Sequence, residues 1–305
     1  MDFEKVIIIR DKTRLEQLIE RFNSKAQARF YLEQSGGDFQ FYEDEHIRFY
    51  EVLKQTQETV SLRWKTKVID RSFLPTYLFS EQDLIMVIGQ DGLVANTAKY
   101  VKSLPVVAIN PNPDQYDGIL LPYQVDTVQK ALQDLVQDQH HIKRVTLAEA
   151  LLSDGQRLLA FNDFYLGAAS HVSSRYEISY KGKTELQSSS GILISTGVGS
   201  TGWLSSVFNM ARNIRGDQNG KIPQTQLGWE DEKLVFVVRE PFLSKTTGTN
   251  IGYGNIYQGN PLKVTSQMPS NGVIFSDGIE SDFMAFNAGS TVTFGIAQEK
   301  AHLVF

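Results

Sequence analysis

No cysteine occurs among the 305 residues of this sequence. This absence excludes disulfide bonds, thiolate catalysis and cysteine-ligated zinc, and it fits a reducing compartment. The five histidines show no spacing typical of metal ligands, and the G-x-S-x-G motif of serine hydrolases is missing. We therefore assign no metal-ligating residue and no nucleophile of the serine-hydrolase type.

Runs of basic residues and long apolar segments are missing as well. The 30 Lys and Arg residues against 35 Asp and Glu residues give a net charge of −5. No stretch approaches the roughly 18 apolar residues that would cross a bilayer. The N-terminal segment has a short apolar run followed by charges, which is unlike a signal peptide. We expect a cytoplasmic protein that binds neither nucleic acids nor membranes.

What is present is an alternation of apolar strands and amphipathic helices over the first part of the chain. This pattern is typical of a doubly wound parallel sheet. Further on, short apolar or alternating runs separated by turn signals indicate antiparallel strands, with a helix after Gly199 as the exception. We predict a Rossmann-like α/β domain over residues 1–125 and a β-rich domain over residues 126–305. The strands and helices expected in the first domain are Val6–Ile9, a helix from Leu15, 45–64, Leu84–Ile88, 91–103, Val106–Ile109 and 125–139.

The first candidate site is the turn Gly89-Gln90-Asp91-Gly92, which follows a predicted buried strand. A helix that starts there brings backbone N–H groups and its positive end to one point. Asp91 in that position could accept a proton from a hydroxyl group or hold a metal ion. The alternative is that Asp91 caps the helix, which is common for this residue type.

The second candidate is the Gly/Ser/Thr-rich segment 188–203, which joins an apolar strand to a helix. Small residues allow the backbone to approach a ligand closely, and hydroxyl and N–H groups suit ribose or phosphate. No Lys follows the second glycine, so the segment is not a Walker A loop. A tight strand-to-helix turn is the alternative.

The third candidate is Asn162-Asp163, a polar pair that interrupts an aromatic strand. Neighbouring residues of a strand face opposite sides, so one of the pair is expected to face a cleft or the core. A buried Asn or Asp needs hydrogen-bond partners, and a ligand could supply them. A bulge whose polar groups are satisfied within the protein is the alternative.

Taken in order, these segments resemble the NAD kinase family. The family pattern is G-G-D-G-T, an Asn-Glu pair, T-P-T-G-S-T-A-Y and a late Asp-Gly turn. The resemblance covers most of the chain from about Asp83 onward and is strongest to the branch that includes mitochondrial NAD kinases. The corresponding segments here are Gly89-Gln90-Asp91-Gly92-Leu93, Asn162-Asp163, Thr196-Gly197-Val198-Gly199-Ser200-Thr201-Gly202-Trp203 and Asp277-Gly278.

The resemblance implies a phosphotransferase that converts NAD to NADP at the 2′-hydroxyl of the adenosine ribose. Asp91 would be the catalytic base, and the phosphate would come from ATP or polyphosphate with Mg²⁺. The family is usually dimeric or tetrameric, so a homodimer or homotetramer is implied, with Ser190 contacting NAD across a subunit interface. The residues expected to contact the nucleotides are Gly89, Gly92, Asn162, Asp163, Ser190, Gly199, Ser200, Thr201, Trp203 and Asp277.

Three positions depart from the family pattern. Gln90 stands where the family has a glycine, Leu93 where it has a threonine, and Asp163 where it has a longer Glu. These changes favour an alternative function, a catalytically impaired regulatory protein that binds NAD, NADP or another adenine nucleotide on the same scaffold. A kinase acting on a lipid or a sugar is a third hypothesis, because lipid kinases share the G-G-D-G-T element.

Overall fold

The computed structural model describes residues 3–137, 139–216 and 227–305. Within them the chain forms two compact units. The first unit extends to Lys143 and also includes His302–Phe305, and the second spans Arg144–Ala301. The expected boundary at residue 125 therefore lies inside the first unit, because the helix that follows it packs into that unit's core.

The first unit is an α/β unit in which strands and helices alternate. Its elements are β1 (Lys5–Arg10), α1 (Arg14–Phe22), α2 (Lys25–Gln34), α3 (Phe39–Ser61), β2 (Lys65–Asp70), a 3₁₀ helix (Arg71–Thr76), β3 (Asp83–Ile88), α4 (Asp91–Ala98), β4 (Pro105–Ile109) and α5 (Val128–Val136). Residue 138 of the helix expected over 125–139 lies outside the described residues.

The strands of the first unit form a parallel sheet in the order β2-β1-β3-β4. The end of the last strand of the chain joins it, because His302 and Leu303 pair in parallel with Pro105 and Val106. Strands β1 and β3 are buried along nearly their whole length, as expected for a parallel sheet covered on both faces. The order switches direction between β1 and β3, which is where open α/β sheets bind ligands.

Two local features of this unit differ from the expectation. The helix expected from Leu15 is divided into α1 and α2, because Asn23 adopts a left-handed conformation at φ +62° and Ser24 caps the second helix. The sequence did not predict strand β2, since KTKVID is mostly polar and, at the edge of the sheet, only one of its residues is buried. A parallel partner supplies the hydrogen bonds that its own pattern does not predict.

The second unit is built of antiparallel strands with one α-helix among its described residues. Its elements are β5 (Ile142–Leu152), β6 (Arg157–Ala160), β7 (Asp163–Ala168), β8 (Ser174–Tyr180), β9 (Lys183–Ser189), β10 (Ile192–Ser195), a 3₁₀ turn (Gly199–Thr201), α6 (Trp203–Arg215), β11 (Leu234–Val238), β12 (Tyr253–Ile256), β13 (Leu262–Ser266), β14 (Gly272–Ser276), β15 (Ile279–Ala285) and β16 (Thr291–Val304).

Two layers of strands share one core in this unit. One layer has the order β12-β11-β10-β7-β14-β15, and the other contains β16, β13, β8 and β9. Aromatic and branched side chains from both layers meet in the core, among them Phe164, Tyr176, Phe236 and Phe294. Helix α6 covers the other face of the first layer through Leu204, which packs against β10 and β11. The predicted fold, a Rossmann-like α/β part followed by a mostly antiparallel β part, is confirmed.

None of the helices in the described part of the chain is long and apolar enough to span a membrane.

Candidate functional site

The first unit contains a crevice of about 500 Å³ along the carboxyl ends of its parallel strands. Four loops line it, each beginning where a strand ends: the segment after β1, Arg71 after β2, the glycine turn after β3, and Pro111 and Asn112 after β4. Gly89 and Gly92 both line this crevice. Because it lies at the switch point between β1 and β3, it is the place where this sheet would bind a ligand.

Asp91 is the first residue of α4 and does not cap that helix. The cap position belongs to Gln90, which makes no capping hydrogen bond with its side chain. The half-exposed Asp91 carboxylate instead accepts a hydrogen bond from the backbone N–H of Leu120, with an Oδ1 to N distance of 2.7 Å. The negative charge still lies at the positive end of the helix, which is favourable. Helix capping is therefore not the reason for an aspartate at this position.

Gln90 and Leu93, the two departures around Asp91, have different consequences. Gln90 has φ −111° and ψ 167°, an extended conformation that any residue adopts, and its side chain is exposed. No glycine is needed there for backbone reasons. Leu93 is buried, and its Cδ2 atom would lie 2.9 Å from a Cβ atom added to Gly89. Leucine thus fills the space beside Gly89 where the family pattern has a hydroxyl group.

The cations of the crevice are paired with carboxylates. Arg71 donates to Asp11 at 2.9 Å, and Arg14 lies 2.9 Å from Glu45. Lys12 lies 2.7 Å from Glu20, and both of these side chains are exposed. A polyanionic ligand would have to compete with these carboxylates, although exposed ion pairs are weak and can rearrange.

In the second unit, Asp277 ties two turns together. Asp277 and Gly278 form the two-residue turn between β14 and β15, both with positive φ as a type I′ turn requires. The Asp277 carboxylate accepts hydrogen bonds from the backbone N–H groups of Phe161, Asn162 and Asp163. It thereby satisfies the backbone donors of the turn that joins β6 to β7.

Asp163 is a buried carboxyl group beside this turn. Burial raises its pKa to about 7, and the neighbouring charge of Asp277 contributes in the same direction. At neutral pH the group is therefore divided between the protonated form, which can donate a hydrogen bond, and the charged form. Asn162 lies just before β7 and is half-exposed, so the two residues belong to a turn and a strand end rather than to one continuous strand.

The glycine-rich segment between β10 and α6 packs directly against the same turn. The Thr196 hydroxyl donates to the carbonyl of Phe161 at 2.6 Å, and a Cβ atom at Gly199 would lie 2.1 Å from the carbonyl oxygen of Asn162. The Ser200 hydroxyl is buried and donates to the carbonyl of Gly197 at 2.6 Å. Thr201 is exposed at the start of the helix. This segment therefore forms a tight strand-to-helix turn, in which Gly199 is required by a close backbone contact. The exposed groups of the turn remain accessible to a ligand.

A second cavity, of about 620 Å³, lies in the same unit and is lined by aromatic side chains. Tyr165 and Trp203 are stacked with ring centroids 6.0 Å apart and an interplanar angle of 12°. Phe275 lies 5.0 Å from Tyr165, and the Arg239 guanidinium lies 5.3 Å from the centre of the Trp203 ring. Flat aromatic faces beside a cation suit a planar ring that carries a phosphate group.

Ser190 lies on the polar side of this aromatic cavity. Its hydroxyl donates a hydrogen bond to the carboxylate of Glu240, and both residues line the cavity. Glu240 has φ +50°, a left-handed conformation that is uncommon for a residue other than glycine. A carboxylate held in this way can accept hydrogen bonds from the amino or hydroxyl groups of a ligand.

The residues selected from the sequence are distributed over three places. Gly89 and Gly92 line the crevice of the first unit, and Asp91 stands between them in the chain. Ser190 and Trp203 meet at the aromatic cavity of the second unit. Asn162 and Asp163 donate to the Asp277 carboxylate, and Gly199 packs against the carbonyl of Asn162. Ser200 and Thr201 follow Gly199 in the chain.

Sequence reasoning missed several residues that line these places. Tyr165 lies in β7 just after the Asn162-Asp163 pair, and the strand pattern does not predict that its ring lines a cavity. Arg239 and Glu240 directly follow β11, and Arg71 directly follows β2. Their position directly after a strand is a sequence feature that could have indicated a site residue. Their proximity to the site, however, depends on pairing between strands that are distant in sequence.

Comparison with known proteins places these observations in context. No protein-family model matches the chain. NAD kinases from two strains of Clostridium kluyveri are each 29% identical to it over 133 residues, which is 41% of this chain and 45% of each relative. The matched region therefore spans less than half of the length of these relatives.

Solved structures of two kinases share the fold. Yeast NADH kinase, solved in complex with NADH, superimposes with a TM-score of 0.61 at 13% identity over 100% of this chain and 84% of that chain. An NAD kinase from Archaeoglobus fulgidus, solved in complex with ATP, gives a TM-score of 0.58 at 13% identity over 98% of this chain and 92% of that chain. This likeness is one of fold, and it extends over almost the whole chain. Together with the matches in sequence, it confirms the resemblance to the NAD kinase family that the ordered motifs predicted.

Proposed function

We propose that this protein is an NAD kinase-like phosphotransferase that converts NAD to NADP, with Asp91 as its catalytic base. The observation that carries the proposal is the position of Asp91. It lies between two glycines at the carboxyl end of a central strand, and its carboxylate is oriented by a backbone N–H rather than used as a helix cap. The fold shared with NAD kinases supports the choice of reaction.

The proposed reaction is an in-line phosphoryl transfer. The 2′-oxygen of the adenosine ribose forms a bond to the γ-phosphorus of ATP as the bond from that phosphorus to the β,γ-bridging oxygen breaks, which releases ADP. The hydroxyl proton passes to the Asp91 carboxylate. Such reactions depend mainly on positioning and on neutralisation of charge, so the aspartate has to be correctly placed rather than unusually basic.

The phosphate donor is proposed to enter as a complex of ATP with Mg²⁺. Magnesium in kinases keeps several water ligands and is held largely by substrate phosphates. The carboxylates that line the crevice of the first unit are engaged with protein groups, Asp11 with Arg71 and Glu45 with Arg14. The Asp91 carboxylate is engaged by a backbone N–H. We therefore treat the metal as part of the nucleotide substrate. Inorganic polyphosphate is the alternative donor.

The dinucleotide is proposed to bind through the second unit. Trp203 and Tyr165 offer an aromatic face, and Ser190 with Glu240 offers hydrogen-bonding groups beside it. Thr201 and Asn162 provide partly exposed polar groups near the turn held by Asp277.

We also expect a homodimer or homotetramer, which light scattering would test.

NADP formation by the purified protein with NAD and MgATP tests the proposal, with Asp91→Asn measured beside it. Loss of a general base typically costs about 10²–10⁴-fold in rate, so we expect at least about 10²-fold lower kcat with NAD binding retained. Asp126→Asn, an exposed aspartate of the same unit, is the matched control and should keep wild-type activity. Folded wild-type protein that makes no NADP from either donor would refute the proposal.

The paired cations of the crevice favour a second candidate, a protein that binds NAD or NADP without turnover. Arg71 and Arg14 are both engaged by carboxylates, so charge for a triphosphate is not freely available. This candidate predicts that NAD raises the Tm of the protein while no NADP forms. In that case Gln90→Gly, which removes an exposed side chain from the lining of the crevice, is expected to restore some turnover.

A further inference from the structure

The orientation of the Asp91 carboxylate is decided by a loop that is distant in sequence. The backbone N–H of Leu120 donates to Oδ1 of Asp91 at 2.7 Å, across 29 positions of the chain. Within the described part of the chain, no other hydrogen bond to this carboxylate is found. The donor belongs to the loop after β4, residues 110–123, which we call the Asn110 loop.

The side chain of Asn110 organises the first half of this loop. It is buried, with 6% of its surface exposed. Its Oδ1 atom accepts a hydrogen bond from the backbone N–H of Asn112 at 3.0 Å, and its Nδ2 atom donates to the carbonyl of Tyr116 at 3.0 Å. One amide group thus joins the beginning and the middle of the loop, as buried side-chain amides often do.

The second half of the loop packs against the same amide. Gly118 has φ +61°, and a Cβ atom at this residue would lie 2.5 Å from Nδ2 of Asn110. Gly118 begins a turn that the hydrogen bond from Leu121 N–H to its carbonyl closes at 3.0 Å. The side chains of Leu120 and Leu121 are buried, which anchors the turn. The direction of the Leu120 N–H therefore depends on the turn that Gly118 begins, and this turn packs against the side chain of Asn110.

We propose that Asn110 is a positioning residue for Asp91, acting through the Asn110 loop and the N–H of Leu120. This inference rests on the proposed function, since it assigns a purpose to the orientation of the base. With Oδ1 engaged by Leu120, the oxygen that receives the proton is Oδ2. A base displaced by about 1 Å can cost about 10²-fold in rate, so a small movement of the loop is sufficient to affect turnover.

The test compares Asn110→Ala and Asn110→Asp with wild type. The second variant keeps the size of the side chain and the acceptor oxygen but removes the donor to Tyr116, so it serves if the alanine variant does not fold. Ile119→Ser is the matched control, because Ile119 lies in the same turn with 67% of its surface exposed. Two quantities are measured: kcat and KM for NAD, and the amide hydrogen exchange rate of Leu120.

We expect both Asn110 variants to lower kcat by about 10-fold to 10²-fold while KM for NAD changes less than about 2-fold. The Leu120 amide should exchange faster in both, and as fast as in Asp91→Ala, whereas Ile119→Ser should match wild type. Unchanged kcat in a folded Asn110 variant would overturn the inference, as would a lower kcat with the Leu120 amide still protected. An inactive wild type would refute the proposed function instead, and the exchange rates would still report whether Asn110 orients Asp91.

Discussion

Asp91 and Asp163 are two carboxyl groups whose surroundings differ. Asp91 is half-exposed and accepts one backbone hydrogen bond, whereas Asp163 is buried beside the carboxylate of Asp277. Their sequence contexts, a glycine turn and an aromatic strand, predicted polar groups at a site but not this difference. The environment of a carboxyl group depends on burial and on neighbouring charges, and both are set by tertiary contacts.

The raised pKa of Asp163 predicts a dependence of stability on pH. The group binds its proton more tightly in the folded chain, where its pKa is about 7, than in the unfolded chain, where it is near 3.8. The contribution of this group to the free energy of unfolding is therefore fully present below pH 4 and is lost as the pH rises to 7, a change of up to about 4 kcal/mol. Asp163→Asn removes this contribution, so its advantage over wild type should grow from pH 4 to pH 7.

Urea unfolding of both proteins between pH 4 and pH 8 measures this effect. Asp126→Asn, an exposed aspartate, serves as the control and should follow wild type over the whole range. If the difference between Asp163→Asn and wild type does not change with pH, the Asp163 carboxyl titrates in its ordinary range and the pair with Asp277 has no energetic consequence.

At the scale of elements, the second unit brings three turns into backbone contact. The turn between β6 and β7 receives the Asp277 carboxylate from one side and the glycine-rich turn after β10 from the other. Backbone groups can approach this closely only where no side chain intervenes, which is the physical reason for Gly199. The prediction of a strand, a glycine-rich turn and a helix in this segment was confirmed, with the helix beginning at Trp203.

Gly199→Ala should be strongly destabilising for this reason. Its Cβ atom would lie 2.1 Å from the carbonyl oxygen of Asn162, so the two turns must separate, and we expect a cost of about 3 kcal/mol or more. Gly295→Ala is the control within the same unit, because no atom lies within 4 Å of its added Cβ. Chemical denaturation compares the two variants, and equal stability of both would show that the close contact is relaxed in solution.

At the scale of the whole molecule, the end of the chain belongs to the core of the first unit. Leu303 pairs with Val106 of β4, and Val304 packs in the same core as α3 and α5. The domain boundary predicted at residue 125 assigns these last residues to the second domain, so this contribution to the first unit was not predicted. Local patterns report on neighbours in sequence, whereas this pairing joins residues about 200 positions apart, whose association depends on the complete fold.

Leu303→Ala therefore tests whether the last residues stabilise the first unit. The side chain is 1% exposed, and truncation of a buried leucine costs about 2–5 kcal/mol. Amide exchange in β3 and β4 should accelerate in this variant. Leu186→Ala, at a position that is 38% exposed in the second unit, should change the free energy of unfolding far less. Unaltered exchange in β4 would show that this pairing does not contribute to the stability of the unit.

The sequence by itself determined the two classes of structure, the order of the motifs and the identity of Asp91 as the acid at the end of a buried strand. Those features are local, since hydrophobic periodicity and turn residues act over a few positions. Only the tertiary structure decided that Leu120 orients Asp91, that Asp277 holds the turn of Asn162, and that Arg239 lies beside Trp203. Each of these contacts joins segments far apart in the chain, and their geometry follows from how the strands pair and pack.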